Sequence, residues 1–482
     1  MEIGMRCLPT LFVACLILAN APLANAGEES SGGTPLEPIP GTVISEMQAK
    51  ADNTSIIWLK SGKDYTEADV NQIARTILGE AFIDQNGGDK YFSDNVGNLY
   101  SLSALTLPIS AATARARVAE EKILEVGEIS SNSLIFGMGS ECGDEDDQKA
   151  ISTTESLPKN IKRVNPSPVD ASALTKTVWI VDSGIGPGSD IANELQIVEQ
   201  RLCTASCVSE TAADPIGHGT MVAGIIGAKK GNNLELIGVA PGIKIRALRI
   251  FTASYPVDLL SNALTALQYV KTYAAARDVV NVSFGAYYNP LYIPGATSGT
   301  TEPSPESKVE ALLRDLAQNK QLFISVAAGN TDVIGGSGYV QTISPARAGG
   351  YRFPSTGTPT GAVITVSAVR KTDVFWNFSA YGNGNIDMTS GIQIGPPDFA
   401  APGVKIRSLW PGNVANPNGQ TNVCSGTSFA AAHVSGLLVY GIPKPDKSAL
   451  FDPSALIPGK LPGSDKPSDY SVARQDPIAT KP

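Results

Sequence analysis

Two histidines, His218 and His433, are all the imidazole in this 482-residue chain. Any general base working near neutral pH is therefore sought first at these two positions. His218 stands in Gly217-His-Gly-Thr-Met-Val-Ala-Gly224, among small residues and ahead of an apolar helical pattern. Asp182 follows the apolar run Val178-Trp-Ile-Val181 and precedes Ser183-Gly184-Ile185-Gly186. A carboxylate at the carboxyl end of a buried strand is well placed to orient an imidazole. Ser428 lies in Ser425-Gly-Thr-Ser-Phe-Ala-Ala-Ala-His-Val-Ser-Gly436, where glycine and two hydroxyls precede an Ala-rich segment that reads as a buried helix. A serine there meets free backbone N–H groups and the positive end of the helix dipole, both of which favour negative charge on a substrate oxygen. Taken singly, the three have plainer readings as a turn residue, a turn cap and an N-cap.

Together, in the order Asp, His, Ser, the three segments resemble the signature motifs of the subtilisin-like serine proteases, the subtilase family. That order differs from the orders in chymotrypsin-like and α/β-hydrolase enzymes. The resemblance covers about residues 177–440. It implies a secreted serine endopeptidase in which Asp182 orients His218, His218 takes the proton of Ser428, and Ser428 attacks the peptide carbonyl. Val326-Ala-Ala-Gly-Asn330 resembles the segment whose Asn donates to the oxyanion, so Asn330 and the Ser428 N–H would form the oxyanion hole. Ser283-Phe284-Gly285 resembles the strand that pairs with the substrate backbone, and Ala327-Ala328-Gly329 would form the second wall of the specificity pocket. Such small residues suit a bulky apolar side chain. His433 falls five residues after Ser428, which turns it away from the serine on a helix, and it reads as a buried structural histidine. Ala432 stands where the family usually carries proline, and a helix accommodates alanine readily.

The elements that must position these residues are legible as strand and helix signals. Val178–Val181, Ile243–Ile250, Val279–Ser283, Leu322–Val326 and Val363–Val369 read as strands. Helical patterns run from Asp258, as cap, through Val270, and from Ser304-Pro305 through Leu316. The alternation predicts an α/β fold with a mostly parallel central sheet and helices on both faces. A smaller α+β unit precedes it. Its strands are expected at Ser55–Leu59, Leu99–Leu107 and Ile123–Val126, and its helices after Thr66 and at Ala111–Glu121. By position and pattern this unit resembles the family's propeptide, an intramolecular chaperone and inhibitor, which implies self-cleavage between Cys142 and Asp170.

The expected organisation is therefore a signal peptide at 1–26, with the apolar stretch Leu11–Ala19 and small residues Ala24-Asn25-Ala26. A flexible Gly/Pro/Ser/Glu-rich leader follows at 27–53, and the propeptide-like domain at 54–130. A linker with the maturation site occupies 131–170, the catalytic domain 171–442 and an irregular tail 443–482. Gly- and Pro-rich insertions at 286–303, 331–350 and 384–397 could shape the cleft. After export Cys142, Cys203, Cys207 and Cys424 remain, an even number that permits two disulfides in three connectivities. Cys203–Cys207 is favoured by proximity and Cys142–Cys424 completes the set. The alternatives are a metal at Cys203 and Cys207, which lack a nearby His, and a free thiol at Cys424.

A formal net charge of −9 and the lack of a long basic run exclude a general nucleic-acid-binding role. No segment after the leader is long and apolar enough for a permanent membrane span. The expected compartment is extracellular or periplasmic, and the expected partners are protein or peptide substrates and the chain's own propeptide. Catalysis by this chemistry requires no cofactor. Many relatives bind structural calcium, but no ligand set is assignable here; the acidic residues of 137–147 read as solvated linker charge. The alternative from another class is a catalytically silent relative that binds peptide strands.

Overall fold

The computed structural model describes residues 39–139, 141–143, 148–164, 169–287, 305–331, 340–353, 360–371, 375–381, 397–446 and 472–474. The signal segment, the acidic residues 144–147, Ser304, residues 332–339 and most of the insertions at 286–303 and 384–397 lie outside them.

The continuous apolar runs become a buried, largely parallel sheet. From one edge its strands are Cys207–Ser209, Gln196–Cys203, Lys244–Arg249, Thr177–Asp182, Val279–Val282, Phe323–Ala327, Gly361–Val369, Phe399–Pro402, Val472–Arg474 and Lys444–Asp446. The strands from Gln196–Cys203 across to Val472–Arg474 are all paired in parallel, and Tyr351–Phe353 joins Gly361–Val369 antiparallel. Sheets covered on both faces need apolar residues at consecutive positions, which is why Val178 to Val181 and the whole of Gly361–Val369 are buried. The helices His218–Gly227 and Thr427–Leu438 pack on each other against this sheet, as do Leu260–Tyr273 and Pro305–Asn319.

Asp258 does not cap the Leu260–Tyr273 helix as expected. It lies in the short strand Val257–Leu259, fully buried, and accepts from Thr252 N and Oγ1, Leu259 N and Asn262 Nδ2. The tail is also more ordered than its composition implied. Lys444–Asp446 and Val472–Arg474 pair with each other and extend the sheet past Phe399–Pro402, because an otherwise open edge offers its backbone groups to any extended segment.

The amino-terminal unit is an antiparallel sheet in the order Gly97–Leu99, Ala104–Leu107, Ser55–Leu59, Val126–Ser131. Ile57, Val70, Ile77 and Leu105 form its core. Thr66 starts the Glu67–Leu78 helix with a capping box, its side chain accepting from Asp69 N while Asp69 accepts from Thr66 N. The last strand begins at Val126, later than expected, because the Ala-rich helix ends at Glu120 and the chain turns through Lys122 at φ 53°. The unit sits on the Leu260–Tyr273 and Pro305–Asn319 helices. Gln268 bonds Ser101 N and Asn98 O, and Lys308 pairs with Glu128 at 2.9 Å. The leader expected at 27–53 is not wholly flexible: Gly41–Asp52 is a helix whose Ile44 packs with Leu134, Phe136, Val257 and Leu259. An apolar surface formed by distant strands gives this segment something to bury against.

Candidate active site

The Asp182 strand and the His218 helix meet backbone to backbone. A Cβ on Gly219 would collide with Gly184 O, and Gly184 itself sits at φ +99°. Only glycine permits both the turn and the approach, and the approach brings Asp182 Oδ1 to 2.7 Å from His218 Nδ1. Ser183 N–H donates to the same oxygen at 2.7 Å. Nδ1 therefore carries the proton toward Asp182, leaving the Nε2 lone pair free, and Nε2 has no hydrogen-bond partner. Burial disfavours the imidazolium, but the charge and hydrogen bond of Asp182, with Asp214 behind, outweigh it and raise the His218 pKa above 6.5.

Asp214 was missed in the sequence reading. Gly217, the N-cap residue of the His218 helix, has no side chain to satisfy the first amides. Asp214 does so instead, accepting from Gly217 N at 2.7 Å and from Thr220 N at 2.9 Å and Oγ1 at 2.6 Å. An acid four residues before the histidine was the only available signal.

Ser428 is the second residue of the Thr427–Leu438 helix, so its N–H has no intrahelical acceptor. Asn330 follows the Phe323–Ala327 strand and is fully buried. Its Oδ1 accepts from Thr427 N at 3.0 Å and Thr427 Oγ1 at 2.7 Å, which orients the amide so that Nδ2 faces the serine. Both free donors converge on one atom, the carbonyl oxygen of Met138, with Asn330 Nδ2 at 2.6 Å and Ser428 N at 3.3 Å. The Ser428 hydroxyl donates to Ser283 O at 3.4 Å.

Met138 ends a segment bound as a peptide strand. Leu134–Gly137 inserts between Val257–Leu259 and Phe284–Tyr287, antiparallel to both, with Gly137 opposite Phe284 and Phe136 opposite Gly285. Met138 N–H donates to Ser283 O at 3.0 Å. The Met138 side chain is fully buried, and a Cβ on Gly285 would overlap its Cε. Ile343 Cγ2 lies 3.2 Å from that same position and packs over Gly329 as well, so it closes the pocket. Of the expected pocket residues, Ser283, Phe284 and Gly285 meet the bound strand, and Gly329 packs on Ile343, which also reaches Gly285. Ala327 and Ala328 are buried beside them. Ile343 and Met138 were not anticipated.

The carbonyl held by the two donors is that of Met138, and it lies ahead of the Cys142–Asp170 stretch in which cleavage was expected. Past that carbonyl the chain stays close to Ser428, because Glu141–Cys142 pairs with Ser425 and Cys424 and Cys142 is disulfide-bonded to Cys424. The segment 131–139 is accordingly structured rather than a linker. The second disulfide is Cys203–Cys207, which closes a hairpin and removes the metal alternative for that pair. His433 is fully buried, with Nδ1 donating to Phe429 O at 2.7 Å and Nε2 on Asn160, and burial pulls its pKa down to about 4. It stands apart from the site. Among the described residues no cluster of three or more His, Cys, Asp or Glu could hold a metal ion, and no helix is long and apolar enough to cross a membrane.

The parallel α/β sheet thus assembles an imidazole held by a buried carboxylate, a serine at a helix start and two donors converging on one carbonyl. Residues 176–444 match the model of the Subtilase family, and the chain belongs to that family. Relatives include a subtilisin-like protease of Coccidioides posadasii, 28% identical over 267 residues, covering 55% of this chain and 50% of the relative. The alkaline serine protease ver112 of Corniculantispora psalliotae is 28% identical over 268 residues, covering 55% and 53%. M-protease of Shouchella clausii is 26% identical over 299 residues, covering 61% of each. The chain thus spans about half the length of the first two and somewhat more of the third. A solved cold-adapted subtilisin-like serine proteinase matches at 22% identity and a TM-score of 0.40, covering 59% of this chain and 84% of that one.

Proposed function

We propose that the chain is a serine endopeptidase, exported as a precursor, that cuts itself at Met138–Gly139. The observation that carries this reading is the Met138 carbonyl, held by Asn330 Nδ2 and Ser428 N while Leu134–Gly137 lies in the cleft as an antiparallel strand. Ser428 Oγ attacks the Met138 carbonyl carbon as His218 Nε2 takes its proton, and the negative charge that develops on the Met138 oxygen meets the two donors already aimed at it. Collapse breaks the C–N bond, the proton passes from His218 to the Gly139 nitrogen, and water then hydrolyses the Met138 ester on Ser428.

The same contacts describe the peptides it would accept. The P1 pocket bounded by Gly285 and Ile343 fits a linear apolar side chain. A Cβ on Gly137 would lie 3.0 Å from Pro256 Cβ, and one on Gly139 2.7 Å from His218 Cδ2, so small residues are favoured on either side of P1. The unit at 54–130 acts as chaperone and inhibitor by delivering the 134–138 strand. Export is supported by the apolar Leu11–Ala19 segment and by two disulfides, which persist in oxidising compartments.

Amino-terminal sequencing of the processed protein is expected to read Gly139, and any other amino terminus would overturn the assignment. Met138→Ala removes a buried side chain worth roughly 1.5–3 kcal/mol and should slow processing about tenfold or more. Met138→Leu, close in volume, should process near the native rate.

The pH dependence gives a second check. Catalysis needs neutral His218, and although burial lowers its pKa the charge and hydrogen bond of Asp182 outweigh that and hold it above the ordinary histidine value. The acid limb of kcat/KM is therefore expected on the high side of the usual histidine range, with activity rising as pH rises through it. His433, at about 4, is already neutral there. An acid limb displaced to the low side of that range would contradict the Asp182–His218 pairing.

A further inference from the structure

We infer that cleavage at Met138–Gly139 leaves the new amino terminus tied in the primed half of the cleft, so that the processed enzyme carries its own peptide strand where the leaving-group side of a substrate must bind. The inference rests on the processing reading above and concerns what happens after the cut.

Gly139 lies against the His218 ring, on the leaving-group side of the presented bond. Three residues further on, Cys142 is disulfide-bonded to Cys424, which stands four residues before Ser428. The chain does not leave the cleft at that point. Glu141–Cys142 pairs antiparallel with Ser425 and Cys424, Gly143 N–H donates to Val423 O at 2.7 Å, and Asn422 Nδ2 donates to Gly143 O at 3.3 Å. Lys149–Ala150 then pairs with Thr421 and Gln420 on the same strand. Ser425 and Cys424 are the backbone that a substrate running past Ser428 in this direction would use, and the tethered segment already uses it.

Cutting at Met138 frees the amino-terminal unit, whose described contacts with the catalytic domain are noncovalent. It does not free Glu141–Cys142, which stays on Ser425 and Cys424. Their effective concentration at the primed side is set by a tether of a few residues, which places it in the millimolar range. A substrate with several primed residues must displace this strand, and the disulfide limits how far it can move. A substrate with nothing beyond a small leaving group need not. The tethered strand is thus a specificity element acting on the primed side, and Cys142 and Cys424 are positioning residues for it.

The test uses enzyme freed of residues up to Met138, its amino terminus verified as Gly139. Two substrates share Ile-Phe-Gly-Met: its methyl ester, and an internally quenched peptide that continues with Gly-Ser-Glu. In Cys142→Ser/Cys424→Ser, KM for the peptide should fall about tenfold, with both parameters for the ester within about twofold of the parent. Equal changes for both substrates would assign the disulfide a purely structural role and overturn the inference, as would an unchanged KM for the peptide. If the double variant loses both activities, the Cys203→Ser/Cys207→Ser protein is reduced with a phosphine and then reoxidised. The peptide-selective gain must appear on reduction and vanish on reoxidation; its failure to do so overturns the inference. An amino terminus other than Gly139 removes the processing reading itself, whereas Gly139 without a peptide-selective gain removes only the tether.

Discussion

Ser428→Ala is expected to accumulate as full-length precursor, with residual peptidase activity reduced about 10⁶-fold, the scale on which an activated nucleophile contributes to acyl transfer. The loss should be chemical rather than structural. The Ser428 hydroxyl makes one hydrogen bond, to Ser283 O at 3.4 Å, and the Ser428 N–H on Met138 O survives the substitution. Stability should therefore change by no more than about 1 kcal/mol, and the variant should trap the Met138–Gly139 complex intact. Expression in a host lacking other proteases, followed by intact-mass measurement, reads the outcome. Normal maturation there would rule out self-cleavage. Fluorophosphonate labelling of processed wild-type protein should modify Ser428 and be lost in His218→Ala produced without residues 1–138. A folded, processed protein that does not label would favour the silent peptide-binding reading instead. Labelling must follow release of the amino-terminal unit, because Ser428 is fully buried beneath Met138 in the precursor.

Asn330→Ala should lower kcat by about 10²–10³ with little change in KM, because the lost donor matters most when charge has developed on the oxygen. The structure sharpens this expectation. Thr427 donates twice to Asn330 Oδ1, so the amide is held with Nδ2 toward the Met138 carbonyl before any reaction begins. The alanine variant also leaves the Thr427 donors without their acceptor, a cost to folding that must be separated from catalysis. Asn330→Asp serves this purpose, since its carboxylate can still accept from Thr427 but cannot donate to the oxyanion. Both variants should show the kcat loss, and thermal melts should show that only the alanine variant forfeits the Thr427 bonds. A fall in stability with kcat unchanged would leave Ser428 N as the sole working donor.

The triad was legible because each member sits in a local pattern with a physical meaning. A short apolar run ending in Asp182 is a buried parallel strand, the glycines around His218 are needed where two backbones touch, and Ser428 precedes a helix that leaves its N–H free. Asn330 was legible for the same reason, at the end of its strand. Boundaries were less so. Leu99–Leu107 is interrupted by a turn through Ser103 at φ 51°, and Asp258 went to a buried network rather than a helix cap.

What the sequence determined by itself was the parallel α/β layer and the candidate residues it carries, since both follow from types and spacings within a few neighbouring residues. Tertiary structure alone decided that the Met138 carbonyl meets Asn330 Nδ2 and Ser428 N, that Asp214 holds the His218 helix, and that Cys142 is anchored beside Ser428. The first and last of these depend on strand partners far apart along the chain, Gly137 with Phe284 and Cys142 with Cys424, whereas Asp214 bonds amides only three to six residues away. An extended segment exposes the same backbone groups to any open edge. Its register is chosen only when the whole surface, with its pockets and its disulfide, has formed around it.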